Sequence, residues 1–168
     1  TGATDVVLRY DVGGGMMRAG WAASQAPIFT LYGDGTVVFR SQTAEMPAPD
    51  GSVFRTNPYR TATLSEEQVQ DLLAFALGEG NLGVARAQYD NPMVTDVGTT
   101  TFTVDAGGVT KTVSIYALGM ETEGVPDQAA RRGFNALATE LSDFDQGGSV
   151  ATDVYQPTAY RGILMDGQ

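Results

Sequence analysis

The 168-residue chain contains neither histidine nor cysteine. Without imidazole or thiol, the triads of serine and cysteine hydrolases, zinc fingers, zinc hydrolases and thiol redox sites are excluded unless lysine or carboxylates substitute. Lysine is almost as scarce, Lys111 being the only one among ten basic residues. With no run of basic charge, a polybasic patch for anionic lipid is also missing. No stretch approaches the roughly 18 continuous apolar residues of a membrane span. The lack of cysteine leaves the redox compartment open, because a chain without disulfides suits either the cytosol or an oxidising space.

What the chain does have is acid. Twenty Asp and Glu against ten Lys and Arg give a net charge of −10. That charge repels phosphate backbones and anionic headgroups within a Debye length of about 8 Å at physiological salt, so nucleic acid is not an expected partner. At 17.7 kDa and 42% hydrophobic residues, the chain is long enough to bury roughly two-thirds of its unfolded surface around one core. We expect a single domain over residues 1–168 that needs no metal or cofactor to fold. Residues 145–168 are expected to form a loosely attached edge strand and tail.

Val6, Leu8, Tyr10 and Val12 alternate with Val7, Arg9 and Asp11, the period-2 pattern of a half-buried strand that Gly13-Gly14-Gly15 should end. A Gly/Ala-rich loop follows to Pro27. Ile28 to Tyr32 and Thr36 to Arg40 flank Gly33-Asp34-Gly35, where an Asp-Gly centre predicts a hairpin with a type I′ turn. Pro47, Pro49 and Pro58 make 41–60 an irregular connection, with one short strand expected around Val53-Phe54. Ser65-Glu66-Glu67-Gln68 reads as a capping box with Leu64 and Val69 at the staple positions. Val69, Leu72, Leu73, Ala76 and Leu77 then form one helical stripe, stopped by Gly78 and Gly80.

Beyond a second irregular stretch around Asn91-Pro92, Thr99 to Val104 and Val109 to Leu118 predict another hairpin. Its Phe102, Val104, Val113 and Ile115 should share one face, and Thr101, Thr103, Thr112 and Ser114 the other. A second helix is expected from Pro126 to about Phe144, carried by Ala130, Phe134, Leu137, Ala138 and Leu141. Val154 to Met165 has strand composition, but Pro157 and Gly162 confine it to an edge. Hairpins in place of βαβ crossovers predict an α+β fold, an antiparallel sheet with two helices packed on one face.

Candidate chemistry is sparse. Asp90 with Asp96, and Asp143 with Asp145, are paired carboxylates that could in principle split into acid and base. Their turn and cap positions explain them without catalysis. Asp143-Phe144-Asp145-Gln146-Gly147 departs from a calcium loop after its first two ligands. Gly13-Gly14-Gly15 lacks the Lys-Ser/Thr pair and following helix of a phosphate cradle. Asp34-Gly35-Thr36 is not in the Asp-Thr/Ser-Gly order of an aspartic protease. Tyr89, Tyr116, Tyr155 and Tyr160 are scattered as ordinary packing residues are. No catalytic residue and no metal ligand is assigned.

Met16, Met17 and Trp21 differ, because apolar side chains in a loop without periodicity have no core face to join, and Met and Trp recur at contact surfaces. They are the candidate partner-binding residues, and burial of Trp21 against the sheet edge is the alternative. The expected function is non-catalytic binding of another protein, or service as an accessory subunit, through the 13–27 loop. Two alternatives are a secreted protease inhibitor using the same loop, and a carboxylate-based enzyme or carbohydrate-binding module.

Phe29-Thr30-Leu31-Tyr32-Gly33-Asp34-Gly35, Leu64-Ser65-Glu66-Glu67-Gln68-Val69, Tyr89-Asp90-Asn91-Pro92-Met93-Val94 and the run Thr100 to Gly119 together resemble a family of bacterial extracytoplasmic proteins, often lipoproteins, of Chloroflexota and actinobacteria. The resemblance implies a shared fold and an export route, secreted or lipid-anchored at the outer face of the membrane, with a signal peptide and anchoring cysteine ahead of Thr1, and so a partner that is another extracytoplasmic protein or membrane complex. It implies no catalytic residues. The Gly-rich first loop and the later hairpin are also similar to emfourin-type inhibitors of bacterial metalloproteases, although the longer middle region departs from that pattern.

Overall fold

The computed structural model describes residues 2–16, 25–42, 57–121, 123–145, 148 and 150–159. In chain order the elements are β1 Val6–Gly14, β2 Phe29–Tyr32, β3 Thr36–Arg40, β4 Tyr59–Thr63, α1 Glu66–Leu77, β5 Gln88–Tyr89, β6 Gly98–Ala106, β7 Val109–Tyr116, α2 Gln128–Ser142 and β8 Asp153–Val154. The strands form one eight-stranded sheet in the order β5-β7-β6-β1-β2-β3-β4-β8. Pairing is antiparallel except between β5 and β7, which run parallel. The fold is therefore α+β with a mostly antiparallel sheet.

Register explains how the sheet builds the core. Directly opposed residues point to the same face, and Leu8 pairs with Leu31 and Val104, Tyr10 with Phe29 and Phe102, Phe29 with Phe39, Leu31 with Val37, and Phe102 with Val113. All of these side chains are buried, and each Leu or Phe so removed from water contributes about 1.5–3 kcal/mol before ordering costs. The alternate residues Arg9, Thr101, Thr103, Thr112 and Ser114 form the polar face, as the hairpin pattern predicts, with the Thr103 and Thr112 hydroxyls 3.4 Å apart. The helices supply Leu72, Leu73 and Ala76, and Phe134, Leu137 and Leu141, to the same buried cluster. Phe134 packs edge-on against Tyr89 with centroids 4.9 Å apart, and Phe144 lies 5.1 and 5.2 Å from Phe29 and Phe39.

The first helix matches its sequence signals. Ser65 Oγ accepts from the Gln68 N–H at 3.2 Å, and Gln68 Oε1 accepts from the Ser65 N–H at 2.9 Å, closing the capping box. At its exit the glycines are required by close approach, since a Cβ on Gly80 would lie 2.7 Å from the Ala76 carbonyl oxygen. The left-handed residue there is Asn81, at φ 66°.

Several expectations need correction. β1 does not end at Val12, because Gly13 and Gly14 remain paired with Thr99 and Gly98, and backbone pairing needs no side chain. The Asp34-Gly35 hairpin is not type I′, since only Gly35 has positive φ. Its Gly35 N–H donates to the Tyr32 carbonyl at 3.0 Å, leaving Gly35 as the left-handed residue that follows a turn. The two-residue turn with both φ positive is Gly107-Gly108.

The connection through 41–60 was expected to hold a strand at Val53-Phe54, which lies outside the described residues. Among the described residues of this connection the chain pairs at β4, beginning with Tyr59 directly after Pro58. β5 arises within the second irregular stretch, and its parallel pairing with β7 breaks the all-hairpin rule. The second helix starts at Gln128 and not at Pro126, because Asp127 at φ 62° makes no side-chain cap and pairs with Arg86 at 2.6 Å. Of the 154–165 run, only Val154 joins a strand among the described residues.

Candidate contact site at the loop end of the sheet

Strand direction divides the sheet into two unlike ends. Tight turns at Gly33-Asp34-Gly35 and Gly107-Gly108 close one end. At the other, Gly14 pairs with Gly98 and Thr99 with Tyr116, so the chain leaving β1, the chain entering β6 and the chain leaving β7 emerge together. The longer connections 15–28, 41–58, 90–97 and 117–127 all open there.

The first of these connections is fixed at its base. Gly14 and Gly15 have φ of 80° and 77°, and a Cβ on Gly15 would come within 3.1 Å of the Val97 carbonyl carbon and 3.3 Å of the Asp96 oxygen. Only glycine lets the loop cross residues 96–98 so closely. Its return is held by the Ile28 N–H donating to the Tyr10 carbonyl at 2.9 Å. Tyr59 Oη adds bonds to the Ala26 and Pro27 carbonyls at 3.2 and 3.0 Å. Burial raises the Tyr59 pKa, with Arg40 opposing that rise. The hydroxyl therefore stays a proton donor at neutral pH.

The loops that follow β5 and β7 are locked to each other from beneath. Arg131 on α2 is 0% exposed, and its Nη1 and Nη2 donate to the carbonyls of Tyr116 at 3.1 Å and Asp90 at 2.9 Å. Glu121 Oε1 is 3.7 Å away, and the Arg131 Nε has no partner. Buried Asn91 ties the loops again, donating from Nδ2 to the Met120 carbonyl at 3.3 Å and accepting the Met93 N–H at 3.0 Å. Glu121 accepts from the Gly119 N–H and from Asn135 Nδ2, each at 3.1 Å.

This frame presents methionines. Met16 is 89% exposed, Met93 57% and Met120 49%, and Val12, two residues before the end of β1, is exposed as well. Of the candidate partner residues, Met16 thus projects from the base of the loop, while Met17 and Trp21 lie outside the described residues. Met93, Met120 and the organising Arg131 were missed by sequence reasoning. Arg131 had a signal, since it sits three residues before Phe134 and so on the buried stripe of α2. Met93 and Met120 had none, because only tertiary pairing brings their loops to the same end of the sheet as residue 16.

The carboxylates do other work. Asp34 accepts the Thr36 N–H at 2.9 Å, which holds its pKa below the usual value, and Asp90 accepts from Gln88 at 2.8 Å. Arg9 and Asp11 pair at 2.6 Å on the polar face, beside a depression of about 340 Å³ lined by Gly13, Gly14, Thr99 and Thr101. No three Asp or Glu converge to hold an ion among the described residues. Tyr89 is buried and Tyr116 Oη accepts the Val97 N–H at 3.2 Å, so both serve packing; Tyr155 is exposed, and Tyr160 lies outside the described residues. Among those residues no helix is long and apolar enough to cross a membrane. Compared with protein-family models and with curated proteins, the chain finds no match in either.

Proposed function

We propose that this chain is a non-catalytic, extracytoplasmic α+β domain that binds another extracytoplasmic protein or membrane complex through the loop end of its sheet. In this reading both helices pack on the apolar face, and the protein is secreted or anchored by lipid at the outer face of the membrane. One observation carries the contact assignment: exposed Met16, Met93 and Met120 stand on three different loops at one end of the sheet. Methionine ordinarily fills cores, and its flexible, polarisable thioether suits surfaces that must fit a partner. Locking of the loops by Arg131 and Asn91 favours binding, because loops already held in place lose less entropy on association.

Inhibition of a secreted metalloprotease is the second reading. It is favoured by the anchoring of the 15–28 loop at both ends, since an inhibitor must present its loop without yielding.

The test places a photoactivatable crosslinker singly at 16, 93 and 120, and at control positions Glu67 and Thr112, in the native envelope. The contact reading expects one common adduct from the three loop positions and none from the controls. A Met16→Ser, Met93→Ser, Met120→Ser variant should lose that adduct while keeping its thermal transition. Equal adducts at the controls, or none at the loops, would refute it. Slowed peptide cleavage by secreted metalloproteases at micromolar protein would select the second reading.

A further inference from the structure

A groove of about 430 Å³ is lined by Leu64, Gln68, Asp71, Leu72, Phe75, Glu140, Phe144 and Val150. It falls between α1 and the C-terminal end of α2, in the size range of ligand-binding clefts. Phe144 is held in its wall by its contacts with Phe29 and Phe39. Five of the lining residues are apolar. Asp71 and Glu140 stand on opposite helices, and neither has an ion pair or hydrogen bond among the described residues.

The charge that the two flanking helices bring to this cleft has one sign. Helix α1 carries Glu66, Glu67 and Asp71 and no basic residue. From Gly133 onward α2 carries only Glu140, and Asp143 and Asp145 follow. Neither helix has a basic residue in its last turn, so the negative end of the α2 dipole adds to the carboxylates without being neutralised.

From this complementarity we propose that the groove binds a cationic amphipathic peptide segment. An apolar side chain enters between Leu72, Phe75 and Phe144, and flanking Lys or Arg side chains reach Asp71 and Glu140. The same charge turns away the other occupants. A second copy of this chain also carries −10, and nucleic acid and anionic lipid are repelled in the same way. An apolar groove receiving the apolar face of a helix, with charge fixing its register, is a recurrent recognition mode. The groove shares no lining residue with the loop-end contact proposed above.

The probe is a short fluorescein-labelled peptide of Lys and Leu spaced as an amphipathic helix, read by anisotropy against the whole chain. Its comparator replaces Leu with Ser at the same charge. The Asp71→Asn, Glu140→Gln variant should weaken binding about tenfold, the combined effect of two part-exposed ion pairs. The Glu79→Gln, Glu123→Gln variant removes the same net charge elsewhere and should change affinity less than about twofold. Amide shifts in the Lys/Leu complex should concentrate in 64–75 and 140–145. Equal weakening by the two variants, equal binding of the Lys/Ser peptide, or no saturable binding would overturn the assignment. Each variant is first shown to unfold at the parent temperature, so a lost groove is not mistaken for a lost fold.

Discussion

Replacing Arg131 with Met tests whether a buried cation earns its place by binding carbonyls. Methionine keeps the aliphatic stem and removes the guanidinium, leaving the Tyr116 and Asp90 carbonyls without the donors they now have at 3.1 and 2.9 Å. Hydrogen bonds to a charged donor are worth about 1.5–3 kcal/mol each. Against them stand the several kcal/mol needed to desolvate a cation and about 1–3 kcal/mol for the unpartnered Nε. These two sides nearly cancel, so the net cost is set by the two part-buried carbonyls left without donors, at the low end of about 1–3 kcal/mol each; we expect a destabilisation of about 2 kcal/mol, or a fall in Tm of about 4–8 °C for a domain of this length.

Glu121 separates the carbonyl clasp from the ion pair. It is 3.7 Å from Arg131 and its side chain is 21% exposed, so solvent screens the attraction and Glu121→Gln should cost about 1 kcal/mol or less. Urea unfolding of the two single variants and the double variant gives both costs and their coupling. An Arg131→Met protein as stable as the parent would refute the reasoning, as would a Glu121→Gln cost equal to that of Arg131→Met. Replacement of buried ion pairs by apolar residues does produce the first outcome in other proteins, so it is a real alternative.

Gly133→Ala should destabilise although it sits inside α2, where alanine is normally worth about 1 kcal/mol over glycine. The added Cβ would lie 2.6 Å from the Glu79 carbonyl oxygen and 3.0 Å from Asn81 Cβ, an overpacking worth about 1–3 kcal/mol; a rise in urea midpoint would contradict the contact. Ser65→Ala opens the capping box and should cost about 1 kcal/mol, read as earlier amide exchange in the first turn of α1. Asp34 has a folded pKa below its unfolded one, so its contribution is present above the unfolded value and lost as pH falls through the folded value. The urea-midpoint gap between parent and Asp34→Ala should therefore narrow from neutral pH toward strong acid, and a constant gap would remove the Thr36 bond as its cause.

What sequence could show depended on whether the signal was local. α1 was legible because its cap, staple and stripe all lie within adjacent turns, and the β6–β7 hairpin because its Thr and Val faces alternate strictly. β4 was hidden by Tyr59, Arg60, Thr61 and Thr63, which leave Ala62 as its one buried residue. β5 is a two-residue strand defined by its partner alone. At the candidate site, Met16 stood out because a loop gives an apolar residue no periodicity. Met93 and Met120 reach the same end of the sheet only through the pairing of β1 with β6 and of β6 with β7, which no window of sequence contains.

That pairing also sets the order in which the molecule can assemble. β1 lies in the middle of the sheet, yet Leu8 finds Val104 only after β2, β3, β4, α1 and β5 have all been synthesised. Closing so long a loop costs entropy before any contact repays it, so the central seam is a late and slow step. A nascent chain lacking residues 98–106 has an open β1 edge and an incomplete interior, and remains a pliable thread until that segment arrives.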